Sequence, residues 1–306
     1  MAGSGANPPP ERDRSSGTVR LRWPTLLLLA AGLVATALFT RQAQREVVAK
    51  ARREFEFAGD ATGLEVRERL QAHEQILLGG VGLFAASEAV SRADWRAYVQ
   101  SLQVERQLPG IQGVGYALLI PPERLAQHEL EIRQEGFPKY RVWPEGPRAV
   151  YSSIIYLEPF TNRNLRAFGY DMLLEPTRRA ALERARDENT AALTGKVKLV
   201  QETSTDVQVG TLMYVPVYRK GMPVATVAER RAALQGWVYS PCRMNDLMAG
   251  TLGRWVSLDE KRIRLQVFDG QKAYKQEEKG YEDFLLYDSQ PASRAHSRVP
   301  GSVSRL

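Results

Sequence analysis

From Trp23 to Thr40 the chain runs 18 residues without a charge, WPTLLLLAAGLVATALFT, between Arg22 and Arg41. An apolar run of this length is long enough for a helix to cross the hydrocarbon core of a bilayer. The pattern then changes. Val48, Ala51, Phe55, Ala58, Val66, Leu70, His73 and Leu77 recur at three- and four-residue steps among many Arg and Glu, which predicts a long stalk helix over 41–78. Gly59 and Gly63 weaken its middle. Its thin apolar stripe suits either pairing with a second copy, giving a homodimer through the stalk, or packing on the domain that follows. After the small residues 79–86, Ser91 opens a second helix over 92–107 with Trp95, Tyr98, Val99 and Leu102 on one side, and Leu108-Pro109-Gly110 stops it.

Beyond Gly110, β-branched and aromatic runs bounded by Gly or Pro predict strands over 111–120, 140–143, 150–156, 196–201, 209–218, 235–239, 263–268 and 284–287. Helical patterns fall between some of them, over 124–135, 176–187 and 243–252. Strands and helices mixed in this way after a helical stalk predict an α+β ligand-sensing module. No repeat of fixed period is visible, which argues against solenoids and propellers.

Composition narrows the partners. With 43% hydrophobic and 25% charged residues the chain is neither fibrous nor wholly disordered. Its formal charge of +7 is concentrated in the two ends, where Arg12, Arg14, Arg20 and Arg22 and then Arg294, Arg298 and Arg305 outnumber the acids. The body between is close to neutral, so no clustered basic face is expected and no nucleic-acid partner. The single Cys242 excludes an intrachain disulfide and a Cys-based zinc site, and three scattered histidines do not make a His-rich metal site. No cofactor is expected.

The arginines before Trp23 favour a cytoplasmic N-terminus, although Arg41 and Arg45 reduce the asymmetry. The expected organisation is a disordered cytoplasmic tail over 1–22, a transmembrane signal anchor over 23–40, the stalk over 41–78, a sensor domain over 79–289 and a disordered tail over 290–306. A cleavable signal peptide is the competing reading, with Ala35-Thr36-Ala37 as the cleavage site. Either way residues 41 onward lie outside the cytoplasm.

The segment 156–218 is richest in local signals. Gly169-Tyr170-Asp171 ends an apolar stretch just before a helix whose first turn is marked by Pro176. Asp171 is either a turn carboxylate bonding backbone amides or an acceptor aimed into a pocket. Arg179, Glu183 and Asp187 read as a solvated helix face, and Thr194 in Ala192-Leu193-Thr194-Gly195 as a turn or strand-edge residue. Pro216 places its strand at an edge or a bulge.

Taken together, Glu158-Pro159, Asn164, Gly169-Tyr170-Asp171, Arg179, Ala185, Leu193-Thr194, Gln201-Glu202 and Pro216-Val217-Tyr218 closely resemble the CHASE domain. This is the extracytoplasmic sensor of many bacterial histidine kinases and cyclic-nucleotide-forming enzymes and of the plant cytokinin receptors. The similarity covers about residues 77–289. It implies a stalk helix and tandem PAS-like α/β subdomains, with a small molecule bound in the membrane-distal one. By the same resemblance Asp171 would hydrogen-bond the ligand and Leu193 would line its pocket, with Met172 and Thr194 as neighbours. Cytokinin recognition does not follow from it.

Family members usually continue into a second membrane helix and a kinase or cyclase domain, which this sequence does not show. The chain is read as a fragment, a truncated product or a stand-alone sensor working through a separate cytoplasmic signalling partner. No GxSxG, HExxH or GxxxxGK[ST] occurs, and Gly79-Gly80-Val81-Gly82 reads as a flexible joint or a close-packing site, so no enzyme is expected in this chain. Two other readings stand: an exported small-molecule binding protein released by signal cleavage, and an anchored interaction protein whose pocket is filled by side chains.

Overall fold

The computed structural model describes residues 23–107, 110–202, 207–252, 264–270 and 274–290. The tail over 1–22, the stop at Leu108-Pro109, Ile263 and the tail beyond Gln290 lie outside them. The chain divides into two units at Phe57 and Ala58. In the first, the described residues form the opening part of helix α1 (Trp23–Ala86). Its hydroxyls are satisfied within the helix: Thr36 donates to the Gly32 carbonyl at 2.8 Å and Thr40 to the Thr36 carbonyl at 2.7 Å. Among the described residues α1 is the one helix long and apolar enough to cross a membrane.

The second unit begins with the rest of α1, whose stripe Ala58, Thr62, His73, Leu77 and Gly80 is buried. Of the two readings of the small-residue stretch, flexible joint or close-packing site, the second holds: it stays helical to Ala86 and packs closely. A Cβ at Gly80 would lie 3.1 Å from Val238 and 3.2 Å from Trp95. Next come α2 (Arg92–Ser101), α3 (Val104–Gln107), β1 (Val114–Ile120), α4 (Leu125–Gln134) and β2 (Tyr151–Glu158). They lead to α5 (Pro176–Glu188), β3 (Ala192–Leu193), β4 (Val197–Lys198), β5 (Val209–Tyr218), α6 (Val227–Ala233), β6 (Leu234–Arg243) and α7 (Met244–Leu252). Two short strands, β7 (Gln266–Phe268) and β8 (Leu285–Asp288), pair antiparallel.

The main sheet is antiparallel in the order β2-β1-β6-β5-β3, with β4 also paired to β5. Side chains alternate across a pleat, so each strand supplies two cores. Tyr116, Met213, Val215, Val238 and Cys242 face one core with Leu77, Trp95 and Val99 of α1 and α2. Ala117, Leu212, Tyr214, Trp237 and Tyr239 face the other with Ala181, Leu182 and Ala185 of α5.

Several sequence expectations need correction. Residues 140–143 form no strand; Trp143 makes a single parallel bridge to Tyr170. Of 196–201, Val197 and Lys198 alone are strand, while β3 and α6 were not anticipated. The alternation is too short there to be read against flanking polar residues. β5 is an inner strand, yet Pro216 pairs with Trp237 beyond the reach of two-residue β3 and one residue before a register shift. Locally it has the open flank and irregularity that proline requires.

Candidate functional site

Gly169-Tyr170-Asp171 is held between the segment before β2 and β2 itself. Trp143 donates its amide to the Gly169 carbonyl at 3.0 Å, Gly169 donates to Ile154 at 2.9 Å, and Asp171 donates to the Trp143 carbonyl at 2.8 Å. Gly169 has φ +81°, and a Cβ there would lie 2.3 Å from the Arg141 carbonyl. Glycine is therefore required by both conformation and space.

Asp171 is completely buried and caps the 3₁₀ turn Met172–Leu174. Its Oδ1 accepts from the Ser152 amide at 3.0 Å, the Ser152 hydroxyl at 2.9 Å and the Leu173 amide at 3.1 Å. The Ser152 hydroxyl oxygen in turn accepts from Met172 at 2.8 Å and Leu173 at 3.2 Å. The turn role read from the sequence is thus filled by Oδ1. Oδ2 faces the other way, 3.4 Å from Nη1 of Arg148, and neither atom has a hydrogen bond. Arg148 is anchored otherwise: Nη2 donates to the Pro144 carbonyl at 2.6 Å, and the guanidinium lies 5.2 Å from the Tyr151 ring centre.

Beyond Met172 the aromatic groups lie on the α5 side of the sheet. Met172 is buried and its sulfur accepts from the Tyr214 hydroxyl at 3.1 Å. The Tyr239 hydroxyl is buried without a hydrogen bond. Burial pushes the Tyr214 and Tyr239 phenols well up, so both remain neutral donors at physiological pH. Arg178 lies 5.5 Å from the Tyr170 ring centre and donates to the Lys198 carbonyl at 2.7 Å. Outside, a groove of about 530 Å³ lined by Phe137, Tyr140, Trp143 and Phe168 with Lys139, Arg141 and Arg166 runs along the outer wall of the Asp171 segment.

Asp171 and Met172 therefore come together, but Leu193 does not join them. Ala192 faces the α5 core, so Leu193 points to the opposite face and packs with the α1 side. Thr194 ties β3 to β5 by accepting from the Leu212 amide at 3.0 Å while its own amide donates to the Leu212 carbonyl at 2.8 Å. Arg148, Ser152, Tyr214 and Tyr239 were not singled out from the sequence. One signal was available: Ser152 and Ser153 are adjacent polar residues in an otherwise apolar strand, and both are completely buried. Ser152 serves Asp171, and Ser153 meets the Tyr140 hydroxyl at 2.5 Å. Nothing in the sequence marked Arg148. Among the described residues no cluster of His, Cys, Asp and Glu could hold a metal.

Comparison with known proteins agrees with the motif order. The CHASE domain family profile matches residues 88–278. No curated protein matches the chain. Similar solved structures include the ligand-binding domain of the Pseudomonas aeruginosa PAO1 amino acid chemoreceptor PctC in complex with GABA. It is 14% identical with a TM-score of 0.42, over 79% of this chain and 82% of that one. The periplasmic sensory domain of the Campylobacter jejuni chemoreceptor Tlp1 is 11% identical with a TM-score of 0.38, over 77% and 70%. The chain belongs to the CHASE domain family of extracytoplasmic sensor domains.

Proposed function

We propose that the chain is a membrane-anchored sensor that binds a small molecule at Asp171 and passes the binding event to a separate signalling partner. One observation carries this reading: the buried Asp171 Oδ2 and Arg148 Nη1 form an ion pair at 3.4 Å, yet neither atom makes a hydrogen bond, so the pair's hydrogen-bonding capacity is unfilled. Burying polar atoms in this state is costly. A ligand presenting an N–H or O–H to Oδ2 and an acceptor to Nη1 would satisfy both, with Met172 and the Tyr151 ring beside Arg148 supplying apolar contact. Because Asp171 is fully covered, entry requires the segment 144–150 that carries Arg148 to move. Leu193 and Thr194 would act through β3 rather than by touching the ligand.

In this reading residues 23–40 anchor the chain and residue 41 onward lies outside the cytoplasm. Tandem PAS-like subdomains would comprise the main sheet and a membrane-proximal part containing β7 and β8. A homodimer through the stalk draws support from Val47, Val48 and Phe57, which are exposed on α1. Signalling demands that the ligand favour one arrangement of the chain over another, since equal affinity shifts nothing.

The test is a thermal-shift screen of the full chain in detergent against amino acids, adenine derivatives, nucleotides and small acids, repeated with Asp171→Asn. Asparagine retains an oxygen for the turn and removes the second carboxylate oxygen. A stabilising compound whose effect Asp171→Asn abolishes is the expected result. A folded chain that no compound stabilises would favour the interaction-protein reading.

A further inference from the structure

A second cavity of about 430 Å³ lies on the α1 side of the main sheet, opposite the face that carries Asp171. Its walls are Phe84 at the end of α1, Tyr116 of β1 and Tyr156 of β2, with Gln235, Arg219 and Lys220 on another side. The volume falls within the roughly 300–1,000 Å³ of small-molecule pockets. Phe84 and Tyr116 are 4.3 Å apart between ring centres, and Tyr116 and Tyr156 are 6.1 Å apart. This is a ready apolar seat for a flat ring.

The polar groups around it are unequal. The Tyr156 hydroxyl is engaged, donating to the Val90 carbonyl at 2.7 Å. The Tyr116 side chain is almost completely buried, and its hydroxyl has no hydrogen bond. Gly236 leaves room for it, since a Cβ there would lie 2.7 Å from the Tyr116 oxygen. Two cations and one carboxylate, Glu88, border the cavity. Arg219 donates to the Ala232 carbonyl at 3.0 Å, and Lys220 is 3.2 Å from Glu88, whose side chain is 95% exposed. So exposed a pair holds little energy and can be exchanged for another anion.

We infer that this cavity is a second ligand site, taking a small aromatic carboxylate with its ring against Phe84, Tyr116 and Tyr156 and its carboxylate toward the Tyr116 hydroxyl, Arg219 and Lys220. The site is independent of the Asp171 reading, because the sheet stands between them. It also involves the C-terminal end of α1 directly, through Phe84.

Isothermal titration of the full chain in detergent with benzoate, phenylacetate and the neutral phenylacetamide tests it. At least one of the two carboxylates should bind saturably, and phenylacetamide should bind about tenfold or more weakly than phenylacetate, for want of the charge-assisted hydrogen bonds. Tyr116→Phe and Lys220→Gln should each weaken binding several-fold, and Asp171→Asn should leave it unchanged. Tyr116→Phe removes an atom that has no partner, and Lys220 is exposed, so both variants should keep the melting temperature of the parent. Absence of heat with both carboxylates at millimolar concentration would overturn the site. Equal binding of the amide, full binding by the Tyr116→Phe/Lys220→Gln double variant, or loss of binding with Asp171→Asn alone would overturn it too.

Discussion

The two oxygens of the Asp171 carboxylate have different neighbours, and this separates two substitutions that look alike. Asp171→Ala removes all three hydrogen bonds of Oδ1 and leaves Arg148 beside an emptied site. It should destabilise by about 5 kcal/mol, whereas Asp171→Asn, which keeps an oxygen for these bonds but also leaves Arg148 without its counter-charge, should cost about 3 kcal/mol. Melting the two variants side by side checks this, and equal melting temperatures would refute the division of labour. A second buried group makes stability depend on pH. Burial, with Arg69 adding to it, lowers the His73 imidazole to about 4. An unfolded histidine titrates near ~6.5, so protons favour the unfolded chain. The stabilisation is complete above ~6.5, erodes as pH falls through this window and is lost below about 4, at most about 3 kcal/mol in all. His73→Gln should flatten the melting temperature between those pH values. His128, shifted down mainly by burial, is present in both proteins and cancels in the comparison.

At the scale of elements, ends and alternation decide what forms. Ser91 and Asp94 make a reciprocal capping box at the start of α2, the Asp94 amide donating to the Ser91 hydroxyl and the Ser91 amide to the Asp94 carboxylate at 2.9 Å. Ser91→Ala should cost about 1 kcal/mol and raise hydrogen exchange in the first turn of α2. A variant with unchanged exchange there would mean that Trp95 packing alone holds the helix. Such signals are local, and for that reason the start of α2, α5 and β5 were legible in the sequence, whereas the break of the expected 92–107 helix at Gln103, with φ +47°, was not. The sheet order was not, because it rests on pairings such as Tyr116 with Val238, far apart in the chain. The site was half legible. Asp171 announced itself by its turn and its family motif, but Arg148 reaches it from an irregular loop, tied to Pro144 and Tyr151, whose approach to Asp171 no periodic pattern marks. Leu193 was placed by motif position, and the two-residue strand β3 turns it to the far face.

For the molecule as a whole, the apolar run in α1 predicts that the chain sediments with membranes and resists alkaline washing, and that deleting residues 23–40 releases it. Recovery of the intact chain in the soluble fraction would exclude the anchor. Orientation can be read by placing a cysteine at Gln42. The native Cys242 is 1% exposed and burial pushes its thiol up to about 12, so it contributes little background to labelling by a membrane-impermeant maleimide. The tryptophans give the same molecule an optical use. Trp143 accepts the Asp171 amide on its carbonyl, and its indole N–H donates to the Phe168 carbonyl at 2.8 Å. Trp95 lies on the other side of the sheet, 5.8 Å from Phe84 between ring centres. The chain has five tryptophans, so replacing Trp143 or Trp95 in turn by Phe removes one face's share of the emission, and the variant in which a compound's fluorescence change is lost would tell, without a label, which side of the sheet it has entered.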